Sequence, residues 1–182
     1  MPLEPALSAE RIADAVARLA ERISADYAGK ELLVVGVLKG GWMFMADLVR
    51  RLTLPVRCEF VRVSSYGDAT QSSGEPQLLF DVETPLAGRH VLLVDDIVDT
   101  GLSIAWLKER LSRREPASLA FCVLLDKPAR RRVELRPEYV GVEIPDRFVV
   151  GYGMDHAERY RELPYVAYLI EDSEPTGVRD HL

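Results

Sequence analysis

The stretch "VLLVDDIVDTGLS" (residues 91–103) decides how the chain is read. Four apolar residues lead into Asp95, Asp96 and Asp99, and Gly101 and Ser103 follow. A short β-branched run bounded by turn residues is a buried strand. Ile104, Leu107 and Leu111 then recur at helical spacing. A Gly-containing turn that opens a helix favours a bound anion. Three carboxylates beside it oppose one, a conflict of charge that any reading of the stretch has to resolve.

The same alternation extends in both directions. Ser8 caps a helix with Glu10 in its first turn and Ile12, Val16, Leu19 and Ile23 on its apolar face. "ELLVVGVL" (31–38) reads as a buried strand, and Met45, Leu48 and Leu52 mark the next helix. "VRCEFVRVSSY" (56–66) is a strand, "GDATQSSGEP" (67–76) a mobile loop and "QLLFDVE" (77–83) a return strand. "RHVLLVDD" (89–96) and "ASLAFCVLLD" (117–126) are further strands. Strand and helix in alternation predict an α/β fold, a central parallel sheet flanked by helices on both faces. No repeat or linker divides the chain, so a single domain over residues 1–182 is expected. Its core spans about 8–126, a region of small strands and turns about 127–170, and a frayed tail 173–182.

Composition excludes several classes. The 182 residues are 48% apolar and 29% charged with a formal net charge of −6, against broad attraction to nucleic acid or membrane. Arg130, Arg131 and Arg132 form the one tight basic run and read as a solvated loop or helix start. Cys58 and Cys122 lie in apolar strand-like surroundings outside any metal pattern, as reduced core residues of a cytoplasmic protein. The N-terminus has no signal-peptide h-region, and no segment reaches the roughly 18 apolar residues of a membrane span.

Three structural readings compete for the opening stretch. A Walker B strand requires a GxxxxGK[ST] elsewhere, and none is present. A response-regulator receiver would have to begin near residue 90, which leaves too little chain. A plain helix cap accounts for one Asp but not for three acids with Thr100, Gly101 and Ser103. The whole pattern instead resembles the phosphoribosyl-pyrophosphate (PRPP) signature of the type I phosphoribosyltransferases. "LKGG" (38–41), "SSYG" (64–67), "LLDKP" (124–128), "VGVEIPDRFVVGYGMD" (140–155) and "ERYRELPYV" (158–166) resemble the hypoxanthine-guanine branch in the right order, over about residues 31–170.

The resemblance implies a type I phosphoribosyltransferase fold with a flexible lid loop and a small hood. It also implies transfer of ribose 5-phosphate from PRPP to a 6-oxopurine, hypoxanthine or guanine, with release of pyrophosphate. Asp99, Thr100, Gly101, Leu102 and Ser103 would cradle the 5′-phosphate through backbone amides and hydroxyls. Asp95 and Asp96 would take the ribose hydroxyls and Mg²⁺. Lys39, Gly40 and Arg161 would bind pyrophosphate, in a loop whose Lys39–Gly40 bond can be cis. Ser65 and Tyr66 belong to the lid. Lys127 would donate to the purine exocyclic oxygen, with Ile97, Phe148 and Val149 around the base. Asp155 would sit beside the purine and act as a second Mg²⁺ ligand, and Asp99 would be the catalytic base or hydrogen-bond acceptor. Leu102 stands where some relatives carry Lys, so phosphate binding would lean on backbone and hydroxyl donors.

His156 is expected to be a surface histidine, because Mg²⁺ prefers oxygen. Expected partners are the two small-molecule substrates, with no nucleic acid and no membrane, in a homodimer or homotetramer. The rival, a regulator that uses the same PRPP-binding fold and binds RNA, would need a basic face and a different base-binding segment.

Overall fold

Apolar strands alternating with amphipathic helices assemble a six-stranded sheet in the computed structural model, which describes residues 1–63 and 76–170. The sheet comprises β2 (Leu32–Leu38), β3 (Val56–Val63), β4 (Leu78–Phe80), β5 (His90–Val98), β6 (Ser118–Asp126) and β7 (Tyr139–Glu143). Their spatial order is β4-β3-β2-β5-β6-β7. All neighbours are parallel except the short β4, which returns antiparallel to β3. The opening stretch supplies β5, a central strand flanked by β2 and β6.

Side chains alternate across β5, so Leu92 and Val94 enter one core layer and Val91 and Leu93 the other. Two helices, α1 (Ala9–Asp26) and α2 (Trp42–Val49), cover the first face. Ser8 accepts a hydrogen bond from the Arg11 amide at 3.3 Å, and Ile12, Ala15, Val16, Leu19, Ala20 and Ile23 are buried along α1. The helix α3 (Leu102–Ser112) covers the second face through Ile104, Leu107 and Leu111. No described helix is long and apolar enough to cross a membrane.

A second sheet, ordered β1-β9-β8, joins β1 (Leu3–Leu7), β8 (Val149–Val150) and β9 (Val166–Leu169) in antiparallel fashion. Arg147 fastens it with two hydrogen bonds to the Glu4 carboxylate, at 2.9 and 2.7 Å, and stacks on Tyr168 at 3.9 Å.

Several details depart from the sequence reading. The first strand, with two prolines nearby, carries no period of its own and exists through its pairing with β9. The small sheet therefore draws on residues 3–7 as well as the region after 127, while residues 139–143 belong to the main sheet. The second helix stops at Val49 and leaves Leu52 in the following turn. Cys122 is buried, but Cys58 is exposed. Among the described residues β4 pairs with β3 only at Arg62 and Val63. Residues 64–75 and 171–182, which hold the expected lid and tail, lie outside the described residues.

Phe44 is fully buried and anchors α2, the helix that follows the Lys39–Gly41 loop. Phe44→Ala is expected to lower unfolding free energy by about 3–5 kcal/mol, measured by urea denaturation.

Candidate active site

A cleft of about 800 Å³ opens at the carboxyl ends of β2, β5 and β6, beneath the small sheet. This is where open parallel sheets present ligand-binding loops. Lys39 and Gly40 enter it after β2, Asp96, Ile97 and Asp99 from the end of β5, and Lys127 after β6. Phe148, Val149, Asp155 and Arg161 come from β8 and the segment behind it. Asp95 and residues 100–103 stand outside the cleft lining. Ser65 and Tyr66 lie outside the described residues.

The turn into α3 depends on Gly101, whose φ of +80° is accessible to glycine at little cost. No side chain caps this helix, and the Leu102 amide reaches Thr100 Oγ1 at 3.4 Å. Behind the turn lies Arg131, close enough that a Cβ on Gly101 would meet its side chain at 3.0 Å. Arg131 Nη2 binds Asp126, while Nη1 is buried with no hydrogen-bond partner. Arg130 and Arg132 are exposed, as a solvated run would be, whereas Arg131 departs from that reading because Asp126 draws its guanidinium inward. Arg130 Nε lies 2.7 Å from Asp99 Oδ1 and Nη1 lies 3.4 Å from Asp146 Oδ1. The Arg130 contact is not aligned for a hydrogen bond, and Asp99 Oδ1 is buried without one.

Asp95 and Asp96 are buried side by side, and the Asp96 amide donates to Asp95 Oδ1 at 2.9 Å. Burial pushes both carboxyls above the ordinary aspartate range, Asp95 furthest because the charge of Asp96 adds to it. Gly40 packs directly on this pair: a Cβ there would lie 2.0 Å from Asp96 Oδ2. The non-proline cis bond joins Leu38 to Lys39, one link before the Lys39–Gly40 bond where the resemblance put it.

At the opposite wall, Lys39 Nζ donates to both Glu158 oxygens at 3.0 Å. Arg161 Nη2 stands 2.7 Å from Asp155 Oδ1 and 3.3 Å from Glu158 Oε2, and Nη1 donates to the Gly153 carbonyl at 2.7 Å. Its Nε is buried without a partner. Glu158 was not foreseen. It sits in the quoted "ERYRELPYV", but only the fold brings it to Lys39. Ala157 and Glu158, at φ of 51° and 63°, form the tip of a two-residue reverse turn closed by His156–Arg159 hydrogen bonds of 3.1 Å. Lys39 hydrogen bonding, aided by Arg161, holds the Glu158 carboxyl below its usual range.

Lys127 is buried, and burial lowers its ammonium pKa while Asp99 and Asp146 oppose the shift. Its Nζ makes no hydrogen bond or ion pair among the described residues. Phe148 is 51% exposed, an open ring face in the cleft, with His156 edge-on at 5.6 Å and 86°. His156 thus packs on an aromatic ring. No group of three His, Cys, Asp or Glu among the described residues is arranged to hold a metal by itself. Asp96 and Asp155 nevertheless offer hard oxygens to the same cleft, which fits an Mg²⁺ whose remaining ligands come from substrate and water.

Among the described residues, the buried side-chain polar atoms without a hydrogen bond are Asp99 Oδ1, which has Arg130 Nε beside it as an ion partner, Arg131 Nη1 and Arg161 Nε. Native interiors rarely leave such groups unpaired, and all three belong to or abut this site.

Residues 6–157 match the family described as phosphoribosyl transferase domain. The hypoxanthine phosphoribosyltransferase of Haemophilus influenzae is 47% identical over 158 residues, 85% of this chain and 88% of that protein. The hypoxanthine-guanine phosphoribosyltransferase of Bacillus subtilis is 42% identical over 163 residues, 90% of this chain and 91% of that protein. A crystal structure of a Bacillus anthracis hypoxanthine-guanine phosphoribosyltransferase superposes with a TM-score of 0.87 at 44% identity, covering 92% of this chain and 98% of that one.

The raised carboxyl pair sets a stability signature. Between the unfolded aspartate pKa and the raised folded value the native state binds more protons, so stability falls as pH rises through that window. Asp95→Asn is expected to be more stable than the parent at neutral pH, and its gain should vanish as pH falls below the ordinary aspartate value of 3.8. Thermal midpoints across a pH series measure this.

Proposed function

The chain belongs to the phosphoribosyltransferase family, in its hypoxanthine-guanine branch, and from that premise we propose how its residues divide the reaction. The enzyme transfers ribose 5-phosphate from PRPP to a 6-oxopurine in purine salvage, yielding the nucleoside monophosphate and pyrophosphate. The relatives favour this activity over the RNA-binding regulator of the same fold.

One observation carries the assignment of residues: the buried Asp95–Asp96 pair lies between two regions rich in donors. On one side are the Asp99–Ser103 turn, its α3 amides and Arg131, and on the other are Lys39 and Arg161. PRPP has that shape, a phosphate and a diphosphate separated by a hydroxylated sugar. The turn receives the 5′-phosphate through Thr100, Gly101, Leu102 and Ser103. Asp95 and Asp96 accept from the ribose hydroxyls, and Lys39, Gly40 and Arg161 hold the diphosphate. Mg²⁺, held by Asp96 and Asp155 with Asp95 behind them, would offset diphosphate charge as the leaving group departs. Ser65 and Tyr66 remain proposed lid residues that exclude water from the reacting carbon.

The purine lies on Phe148, with Ile97 and Val149 along its edges and Asp155 beside it. Lys127 donates to the exocyclic oxygen. Adenine would set an amino donor against that ammonium, which leaves a buried charge unpaired and disfavours binding. Asp99, close to Lys127 and carrying an oxygen that accepts no hydrogen bond, takes the proton or hydrogen bond of the incoming ring nitrogen. The reading further implies a cytoplasmic homodimer or homotetramer.

The direct test is pyrophosphate release from PRPP and Mg²⁺ with each nucleobase in turn. Turnover is expected with hypoxanthine or guanine, and turnover with uracil or orotate alone would overturn the reading. Lys127→Ala is expected to lower kcat/KM for hypoxanthine roughly 10- to 100-fold and to narrow the preference over adenine, as loss of a charged hydrogen bond requires. Asp99→Asn is expected to reduce kcat by about 100-fold or more with little change in PRPP KM, within the usual range for an acid–base group. Near-normal turnover would remove Asp99 from the chemistry.

A further inference from the structure

The two cations assigned to the diphosphate are already engaged by one carboxylate. Glu158 takes both of its oxygens to Lys39 Nζ at 3.0 Å and sets Oε2 3.3 Å from Arg161 Nη2. Nothing else in the chain pairs with Lys39 among the described residues. The Glu158 side chain is 65% exposed, whereas Asp155 is 28% exposed and is tied by Arg161 and the Glu158 amide. Glu158 stands at the tip of a two-residue turn, so its side chain can rotate into water without moving a strand. An exposed pair of this kind is weak enough to be displaced.

We propose that Glu158 is an internal competitor for the pyrophosphate pole. Its carboxylate holds Lys39 and Arg161, yields them to the diphosphate of PRPP, and reclaims them as pyrophosphate leaves. Glu158 therefore weakens diphosphate binding and speeds release, a specificity-determining role for a residue that need not touch the reacting atoms. It also keeps two neighbouring cations, Lys39 and Arg161, from facing each other uncompensated. The inference rests on the assignment of Lys39 and Arg161 to pyrophosphate.

The test is calorimetric titration of Glu158→Gln and Glu158→Ala with inorganic pyrophosphate in Mg²⁺ buffer, together with steady-state kinetics. Both variants are expected to bind pyrophosphate roughly three- to tenfold more tightly, the range expected from losing two exposed ion contacts. PRPP KM is expected to fall by a similar factor and product inhibition by pyrophosphate to strengthen, while the purine KM stays unchanged. Lys39→Ala serves as the separate check on the premise. If it weakens pyrophosphate binding while both Glu158 variants bind no more tightly than the parent, the competitor role is wrong and the pole assignment stands. If Lys39→Ala leaves pyrophosphate affinity intact, the assignment fails, and the inference with it.

Discussion

Two aspartates buried side by side at the end of the central strand constrain everything around them. A carboxylate moved from water into protein loses solvation that only hydrogen bonds or cations restore, and two adjacent carboxylates also repel. The Asp96 amide donates to Asp95 Oδ1, and the Ile97 backbone also supports the Asp96 carboxylate. Asp96 opens onto the cleft, and apolar strands of the sheet enclose the pair elsewhere. The chain thus holds two hard oxygen acceptors side by side at the end of its central strand.

Backbone surrounds this pair more closely than side chains could. Gly40 approaches so near Asp96 that any Cβ would collide with its carboxylate, and a Cβ on Gly153 would lie 2.2 Å from the Gly40 carbonyl. The Lys39–Gly41 loop, the end of β5 and the segment from the small sheet are thereby packed into one wall. The small sheet in turn depends on β1 and on the Arg147–Glu4 pair, far from the cleft in sequence. Stability and site geometry are coupled through this packing, because displacing one of these backbones moves the others.

Charge is distributed along the cleft as a sequence of unmet needs. Arg131 and Arg161 each keep a buried donor without a partner, and Asp99 keeps a buried acceptor. Arg131 also bears on Leu102, the position where some relatives have a lysine. A guanidinium from the turn after β6 stands behind the phosphate turn, so positive charge reaches that end of the site by another route.

Much of this was legible in the residues alone. Strand period, helix period and turn chemistry act between near neighbours, so the alternating elements and the Asp95–Ser103 unit could be read without a fold. The roles of the acids and of Lys127 came from the family resemblance, whereas the glycine turn into α3 was equally local. Pairings between distant segments were not. The strand at residues 3–7 forms because β9 is there to receive it, and Cys58, despite its apolar surroundings in sequence, is exposed on β3. Arg131 left the solvated run because Asp126 lies beside it in space, while Arg130, still exposed, gained Asp99 as an ion partner. Glu158 gained its partner 119 positions away only when the small sheet was laid over the cleft. Local periodicity determined which elements and which chemistry this chain carries. Tertiary packing decided which charges meet, since an ion pair depends on distance in space and leaves no period in the sequence.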